Sequence, residues 1–345
     1  MSSVQLISEL KYNNKIIAVY ELKEEEGTTA IISNYGCILM SLVVKDKNGN
    51  ARDVVLGFDK IEDYLDEKYL EGYPYFGAII GRYANRIKDG SFSLNGKHIQ
   101  LAQNNGSSTL HGGAEGFDKK IWDIVEIKST PYPSLVMQYK SKDGEEGFPG
   151  TLTTTITFRL LQNELQYEIT AFTDASTIIN FAHHSYFNLD KNHSSVHEQH
   201  VRINANNWLQ QDDELCVTGH LNPVENSPYD FNSWQPVSQP WNKQDGYDQT
   251  FVISKPGDLL RLAAEAKSSD ESLHMEVFTT LPVVHFYTGK WIPEIKGKKG
   301  SLYKPFCGYC FETQHYPNAV NIPHFPNTLL NPGEVYLQKN CYRFL

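Results

Sequence analysis

Four segments of this 345-residue chain carry more polar and turn residues than a strand interior needs. They are Gly77-Ala-Ile-Ile-Gly81-Arg82-Tyr-Ala-Asn85-Arg86-Ile87, Thr109-Leu-His111-Gly112-Gly113 with Gly116-Phe117-Asp118, His183-His184-Ser185-Tyr186-Phe187-Asn188-Leu189, and Phe311-Glu312-Thr313-Gln314-His315-Tyr316-Pro317-Asn318. Imidazole titrates near neutral pH, so a histidine close to a carboxylate such as Glu312 offers proton transfer in both directions. Each residue also has a plain reading. A histidine beside Gly-Gly suits a hydrogen-bonded turn, and His183-His184 suits one core and one exposed strand position. Glu312 suits a sheet edge, and Arg82 and Arg86 suit solvated charges or a structural ion pair. Spacing alone leaves both readings open.

The elements that must position these groups are strands. Leu152 to Leu160 is β-branched and alternating, and Leu165 to Phe172 repeats the pattern after a turn, which predicts a hairpin. Ser91 to Leu94 and Lys97 to Leu101 flank Asn95-Gly96, a pair that tolerates positive φ in a tight turn. Ile17 to Leu22, Ile38 to Val44, Met275 to Thr280 and Val283 to Tyr287 read as further strands. Helices are expected only at Lys60 to Glu67 and at Leu259 to Ala266 after Pro256-Gly257, and Asn222 to Gly246 reads as a long surface connection. With 20 Tyr, 17 Phe, 24 Gly and 16 Pro, the composition favours short strands joined by turns. The reading is one all-β domain over 1–345, a large antiparallel β-sandwich with few short helices.

A net charge of −10 without a basic block argues against a nucleic-acid partner. No stretch approaches the roughly 20 apolar residues of a membrane helix, and the first ten residues lack a secretory pattern. A cytoplasmic location is therefore expected. Five widely spaced cysteines do not suggest a disulfide scaffold. Cys307-Gly-Tyr-Cys310 has redox spacing, but Phe306 to Glu312 reads as a strand, whereas a reactive Cys of that type sits at a helix N-terminus.

Taken together, in this order and at these separations, the four segments resemble the aldose 1-epimerase (galactose mutarotase) family. Asp53-Val-Val-Leu-Gly-Phe58, Asp143-Gly-Glu-Glu-Gly147, Phe286-Tyr-Thr-Gly289 and Asn331-Pro-Gly-Glu334 extend the likeness from about Tyr35 to Tyr336. The resemblance implies a galactose-mutarotase-like sandwich holding a free aldohexose, galactose or glucose, on a concave sheet. It implies Glu312 as general base, His184 as general acid and His111 as a second active-site histidine. Asn85, Arg86, Asp248, Tyr186 and His285 would contact the sugar. It implies neither cofactor nor metal, and leaves monomer and homodimer both open. Three positions depart from the family pattern: His183 stands where Asn is usual, Gln249 where His is usual, and His285 where Gln is usual.

Other readings predict different things. A non-catalytic sugar sensor on the same fold would bind sugar without exchanging anomers. A metal enzyme would use His111, His184 and Glu312 as a facial triad, although these residues form no compact ligand motif. A hexose-6-phosphate epimerase would turn Arg82 and Arg86 toward a phosphate. A glycoside hydrolase would pair Asp248 with Glu312 and leave His184 without a role.

Overall fold

The computed structural model describes residues 1–238, 245–253 and 259–345, and the statements below concern those residues. Alternation shapes the largest sheet. In Leu152–Leu161 every second residue from Leu152 is buried, and in Glu164–Thr173 the buried set is Leu165, Tyr167, Ile169, Ala171 and Thr173. These strands form the expected hairpin, Leu160 opposite Leu165. The sheet is antiparallel, in the order Asp123–Lys128, Ser134–Ser141, Leu152–Leu161, Glu164–Thr173, Tyr336–Phe344, His274–Thr279, Arg261–Lys267, His200–Ile203 and Gln235–Pro236.

A second antiparallel sheet of six strands is built from β1 (Tyr186–Phe187), β2 (Ala205–Gln211), β3 (Val217–Pro223), β4 (Asp248–Ile253), β5 (Val283–Tyr287) and β6 (Tyr309–Gln314). Their order across the sheet is β1-β6-β5-β4-β2-β3. A third sheet of five strands covers Ser3–Tyr12 to Ala51–Asp53 in sequence order. One core cluster joins all three, with Met137, Ile156 and Val277 from the first, Phe251 and Phe286 from the second, and Leu22 and Leu39 from the third. The expected sandwich is therefore present, with the five-stranded sheet packed against it.

Three local expectations need correction. Leu259 to Ala266 is not helical: Leu259 is 84% exposed, and Arg261–Lys267 is a strand between His200–Ile203 and His274–Thr279. Ala, Glu and Lys favour helices, but Ala263, Ala264 and Ala266 are buried against neighbouring strands, and that packing overrides propensity. Pro256-Gly257 lies outside the described residues. The Lys60 to Glu67 helix is displaced into a 3₁₀ turn at Ile61–Leu65 and an α-helix at Glu67–Gly72, where the Asp66 side chain accepts from the Lys68 N–H at 2.9 Å. Between Asn222 and Gly246 the chain is not all surface, since Val224, Phe231 and Val237 are buried; Pro240 lies outside the described residues.

Candidate active site

Side chains on a strand alternate between faces, so Cys310, Glu312 and Gln314 of β6 point one way while Phe311 and Thr313 point into the core. Register then builds a row of functional groups. Glu312 lies opposite His285 on β5, and His285 opposite Thr250 on β4. One step along, Tyr186, Cys310, Tyr287 and Asp248 align across β1, β6, β5 and β4. Beneath the row, Phe286 and Phe311 stack with centroids 5.2 Å apart, which stiffens β5 and β6 where they carry His285 and Glu312.

Loops bring the remaining groups over this face. The backbone of His111 has φ 52° and that of Asn85 has φ 63°. The two residues hold each other: the Asn85 N–H donates to His111 Nδ1 at 3.2 Å, and the His111 N–H donates to the Asn85 carbonyl at 3.1 Å. Gly112 lets the His111 loop pack against Gly81, because a Cβ there would lie 2.1 Å from the Gly81 carbonyl oxygen. Arg86 donates from Nε to Asn105 Oδ1 at 3.0 Å.

His184 Nε2 faces Glu312 Oε1 at 3.5 Å, and Glu312 is only 2% exposed. Its other oxygen, Oε2, is buried without a protein hydrogen-bond partner. Buried carboxylate oxygens are almost always paired, so this one marks where a donor from outside the protein belongs. His285 Nε2 meets Asp248 Oδ1 at 2.8 Å, and its Nδ1 meets Thr250 Oγ1 at 2.8 Å. His111, His184, Glu312, His285 and Asp248 line a cavity of about 580 Å³ together with Tyr75, Tyr287 and Trp291, while Thr250 lies behind His285. Trp291 stands at its mouth, 66% exposed. The structure thus brings Glu312, His184, His111, Asn85, Arg86, Asp248, Tyr186 and His285 together around one cavity.

Burial sets the electrostatics. It pushes His111 well below the usual imidazole range, helped by the neighbouring His184 and Arg86. It also lowers His184, although the Glu312 charge pulls the other way. At His285 burial works downward too, but the hydrogen bond and charge of Asp248 outweigh it and raise the group. Asp248 is correspondingly lowered: burial pushes it up, and His285 pulls it further down.

The donor set does not suit a metal, although one ligand atom from each of His111, His184 and Glu312 lies within 4.8 Å of the others. Nδ1 of His111 accepts a backbone N–H, so in the neutral ring Nε2 carries the proton and has no lone pair to give. His111 is instead a neutral hydrogen-bond donor aimed into the cavity.

Two of the three departures lie away from the cavity. His183 turns into the core, with Nε2 3.0 Å from the Gly77 carbonyl and its ring against Tyr167 and Phe158. Gln249 shares the core face with Phe251 and donates to Gln211 Oε1 at 2.9 Å. Only His285 faces the site. Arg82 is also internal: its guanidinium is spent on Ser141 Oγ and on the carbonyls of Ser141, Lys142, Pro149 and Gly150, which leaves it unable to hold a phosphate. Sequence reasoning missed Tyr75, Thr250 and Trp291. Tyr75, at φ 59°, sits with its ring centroid 4.8 Å from His111 and 5.5 Å from His184. Its signal was the turn-rich Gly72-Tyr-Pro-Tyr75 stretch.

Residues 18–343 match the family model described as aldose 1-epimerase. The chain is 39% identical to a galactose mutarotase of Sus scrofa, covering 94% of this chain and 93% of that one. It is 31% identical to the aldose 1-epimerase of Escherichia coli strain K12, covering 94% of each. Among solved structures, an aldose epimerase homologue from C. elegans superposes with a TM-score of 0.87 at 30% identity, covering 95% of this chain and 99% of that one.

Proposed function

This chain belongs to the aldose 1-epimerase family, and we propose that it is a mutarotase interconverting the α and β anomers of a free aldohexose, galactose or glucose. The observation that carries the reading is the buried pair of Glu312 and His184, 3.5 Å apart, with one Glu312 oxygen awaiting a donor.

The chemistry follows from that pair. Glu312 takes the proton of the C1 hydroxyl while the His184 imidazolium gives its Nε2 proton to the ring oxygen. The C1–O5 bond breaks and leaves the open-chain aldehyde with its O5 hydroxyl. Rotation about C1–C2 presents the other face of the carbonyl. Closure then runs the transfers in reverse, as His184 recovers the O5 proton and Glu312 returns one to O1. No atom is gained or lost, and neither residue bonds covalently to the sugar. His111, a fixed neutral donor, is suited to the developing charge on a sugar oxygen. Asn85, Arg86 and the Asp248–His285 pair orient the hydroxyls. Tyr75, Tyr186 or Tyr287 offers a ring for the apolar face of the hexose. The sugar is the only partner this reading requires. Five buried free cysteines suit a reducing, cytoplasmic setting, and the reading accommodates a monomer or a homodimer.

The test follows optical rotation of freshly dissolved α-D-galactose and α-D-glucose with catalytic protein and chelator, against a blank. Accelerated decay to equilibrium is expected with at least one sugar. Folded protein that binds sugar but leaves both decays at the blank rate would overturn the proposal.

A further inference from the structure

The hairpin of Ile295–Lys296 and Leu302–Tyr303 turns through Gly297-Lys298-Lys299-Gly300, and the turn sends its two lysines opposite ways. Lys298 is only 6% exposed, whereas Lys299 faces solvent. Lys298 Nζ donates to Asp53 Oδ2 at 2.7 Å and to the Met40 carbonyl at 2.8 Å, so one of its three N–H groups has no acceptor among the described residues. Asp53 is already taken up: Oδ1 accepts the Leu42 and Val55 N–H groups, and Oδ2 accepts the Ser41 hydroxyl beside Lys298. Two cavities adjoin the ammonium. One, of about 270 Å³, also carries Asp59. The other, of about 260 Å³, is bordered by Arg52, Lys191, His193, Lys299 and Ser301, and Asp53 is the one carboxylate among its described lining residues. Arg52 is neutralised by Asp46 and Asp270, but Lys191 and Lys299 have no ion-pair partner among the described residues. His193 donates from Nε2 to the Asp53 carbonyl at 2.6 Å, and burial with the charge of Lys298 holds its ring below the usual imidazole range. A chain of net charge −10 thus gathers cations around one pocket, which shares no lining residue with the sugar cavity.

We propose that this pocket binds a doubly charged tetrahedral oxyanion, phosphate or the phosphoryl group of a small ester. The remaining Lys298 N–H supplies a fixed donor from the buried side and the Ser301 hydroxyl a second, while Lys191 and Lys299 reach the outer oxygens from the rim. Charge-assisted hydrogen bonds are the strong ones, and the buried ammonium makes its bond where solvent screens least. Two lysines without a counter-charge call for a dianion, since chloride or a carboxylate would balance only one of them. The neighbouring cavity is disfavoured, because Asp59 would face the anion there. His193 reports occupancy. The charged groups around its ring are Lys298, Lys299, Lys191 and Arg52 against Asp53, and an added anion offsets the lysines that hold it down. Nothing in this binding depends on the sugar chemistry proposed above.

The experiment titrates the full-length protein with inorganic phosphate, and with sulfate, which stays a dianion across the neutral range, in chloride at constant ionic strength. Calorimetry is expected to show saturable binding of a single phosphate per chain. In two-bond ¹H–¹⁵N spectra the His193 resonances, assigned by their absence in His193→Gln, should move with that binding, and the His193 titration midpoint should rise under sulfate. Lys191→Glu combined with Lys299→Glu changes two exposed side chains and is expected to weaken phosphate about 100-fold, roughly tenfold for each charged contact. Lys298→Met should weaken it at least about tenfold; if that variant fails to fold by circular dichroism, the double variant decides. Saturating galactose should leave the affinity unchanged. Glycerol 3-phosphate binding more tightly than phosphate would identify an ester as the occupant, and weaker binding the free ion; either supports the site. The proposal is overturned by a wild type without saturable binding, by undiminished binding in the folded double variant, or by displacement with galactose, which would put the anion at Arg86 in the sugar cavity. Absence of mutarotation overturns the function alone and leaves these outcomes to decide the anion site.

Discussion

At the scale of single residues, the proposed mechanism separates groups that move protons from groups that hold the sugar, and substitutions should separate them too. Glu312→Gln keeps the shape of the side chain but cannot take a proton, and His184→Asn cannot deliver one. Each is expected to lower kcat by about 100-fold or more, the typical contribution of a general acid or base. Far-ultraviolet circular dichroism should be unchanged. Near-wild-type turnover in either variant would remove that residue from the mechanism. Asp248→Asn acts differently, because it leaves the proton-transfer pair intact and takes away the partner that hydrogen-bonds His285 and raises it. KM for galactose is expected to rise about tenfold, the worth of a hydrogen bond to a charged group, with a smaller change in kcat. A fall in kcat at constant KM would instead place Asp248 with the proton-transfer groups.

Elements decide which of these residues meet, and they explain how much could be read from sequence. The Leu152–Leu161 and Glu164–Thr173 hairpin was legible because one face is buried and the other half-exposed, so hydrophobicity alternates. Arg261–Lys267 was not, because its alanines pack in a sheet whose other strands lie far away in sequence. The site shows the same divide. Glu312, His184 and His111 stand in distinctive motifs, whereas Thr250 and Cys310 join them only through cross-strand register. His183 and His184 are adjacent, yet one faces the core and the other the cavity, a choice that strand direction makes. Arg82, in the same segment as Asn85 and Arg86, serves as a brace. It ties the Gly77–Ile87 segment to the carbonyls of Ser141, Lys142, Pro149 and Gly150, and its burial lowers it to about 10. Arg82→Met is expected to leave those acceptors unpaired and to lower stability by about 3 kcal/mol or more. The check is a reduced urea midpoint at unchanged slope, with mutarotation retained by the folded fraction. An unchanged midpoint would mean that water replaces the guanidinium without loss.

At the scale of the whole molecule, the core joins the three large sheets, and Tyr336–Phe344 lies between Glu164–Thr173 and His274–Thr279. We therefore expect a single cooperative unfolding transition, in which a group buried anywhere acts on global stability. The histidines make this testable by acid. Burial lowers His183 to about 3 and His315 to about 4, and lowers His111 and His184 as well. The unfolded chain takes up protons on these rings near pH 6.5, and the folded protein only at lower pH. Their contribution is therefore complete above about pH 6.5 and is lost as pH falls from there toward 4, by about 1.4 kcal/mol per unit for each ring that stays neutral. Asp118 works in the opposite sense. Burial raises it to about 6, so the folded protein binds its proton first and recovers about 1.4 kcal/mol per unit between about pH 6 and 4. His285, raised by Asp248, also stabilises toward lower pH, but its gain is complete once both states are protonated. The rings outnumber the offsets, so the urea midpoint should fall steadily from pH 6.5 to 4, with tryptophan fluorescence and circular dichroism coincident throughout. A flat midpoint across that window would show that these histidines are charged in the folded protein, and would undo the neutral-donor role assigned to His111.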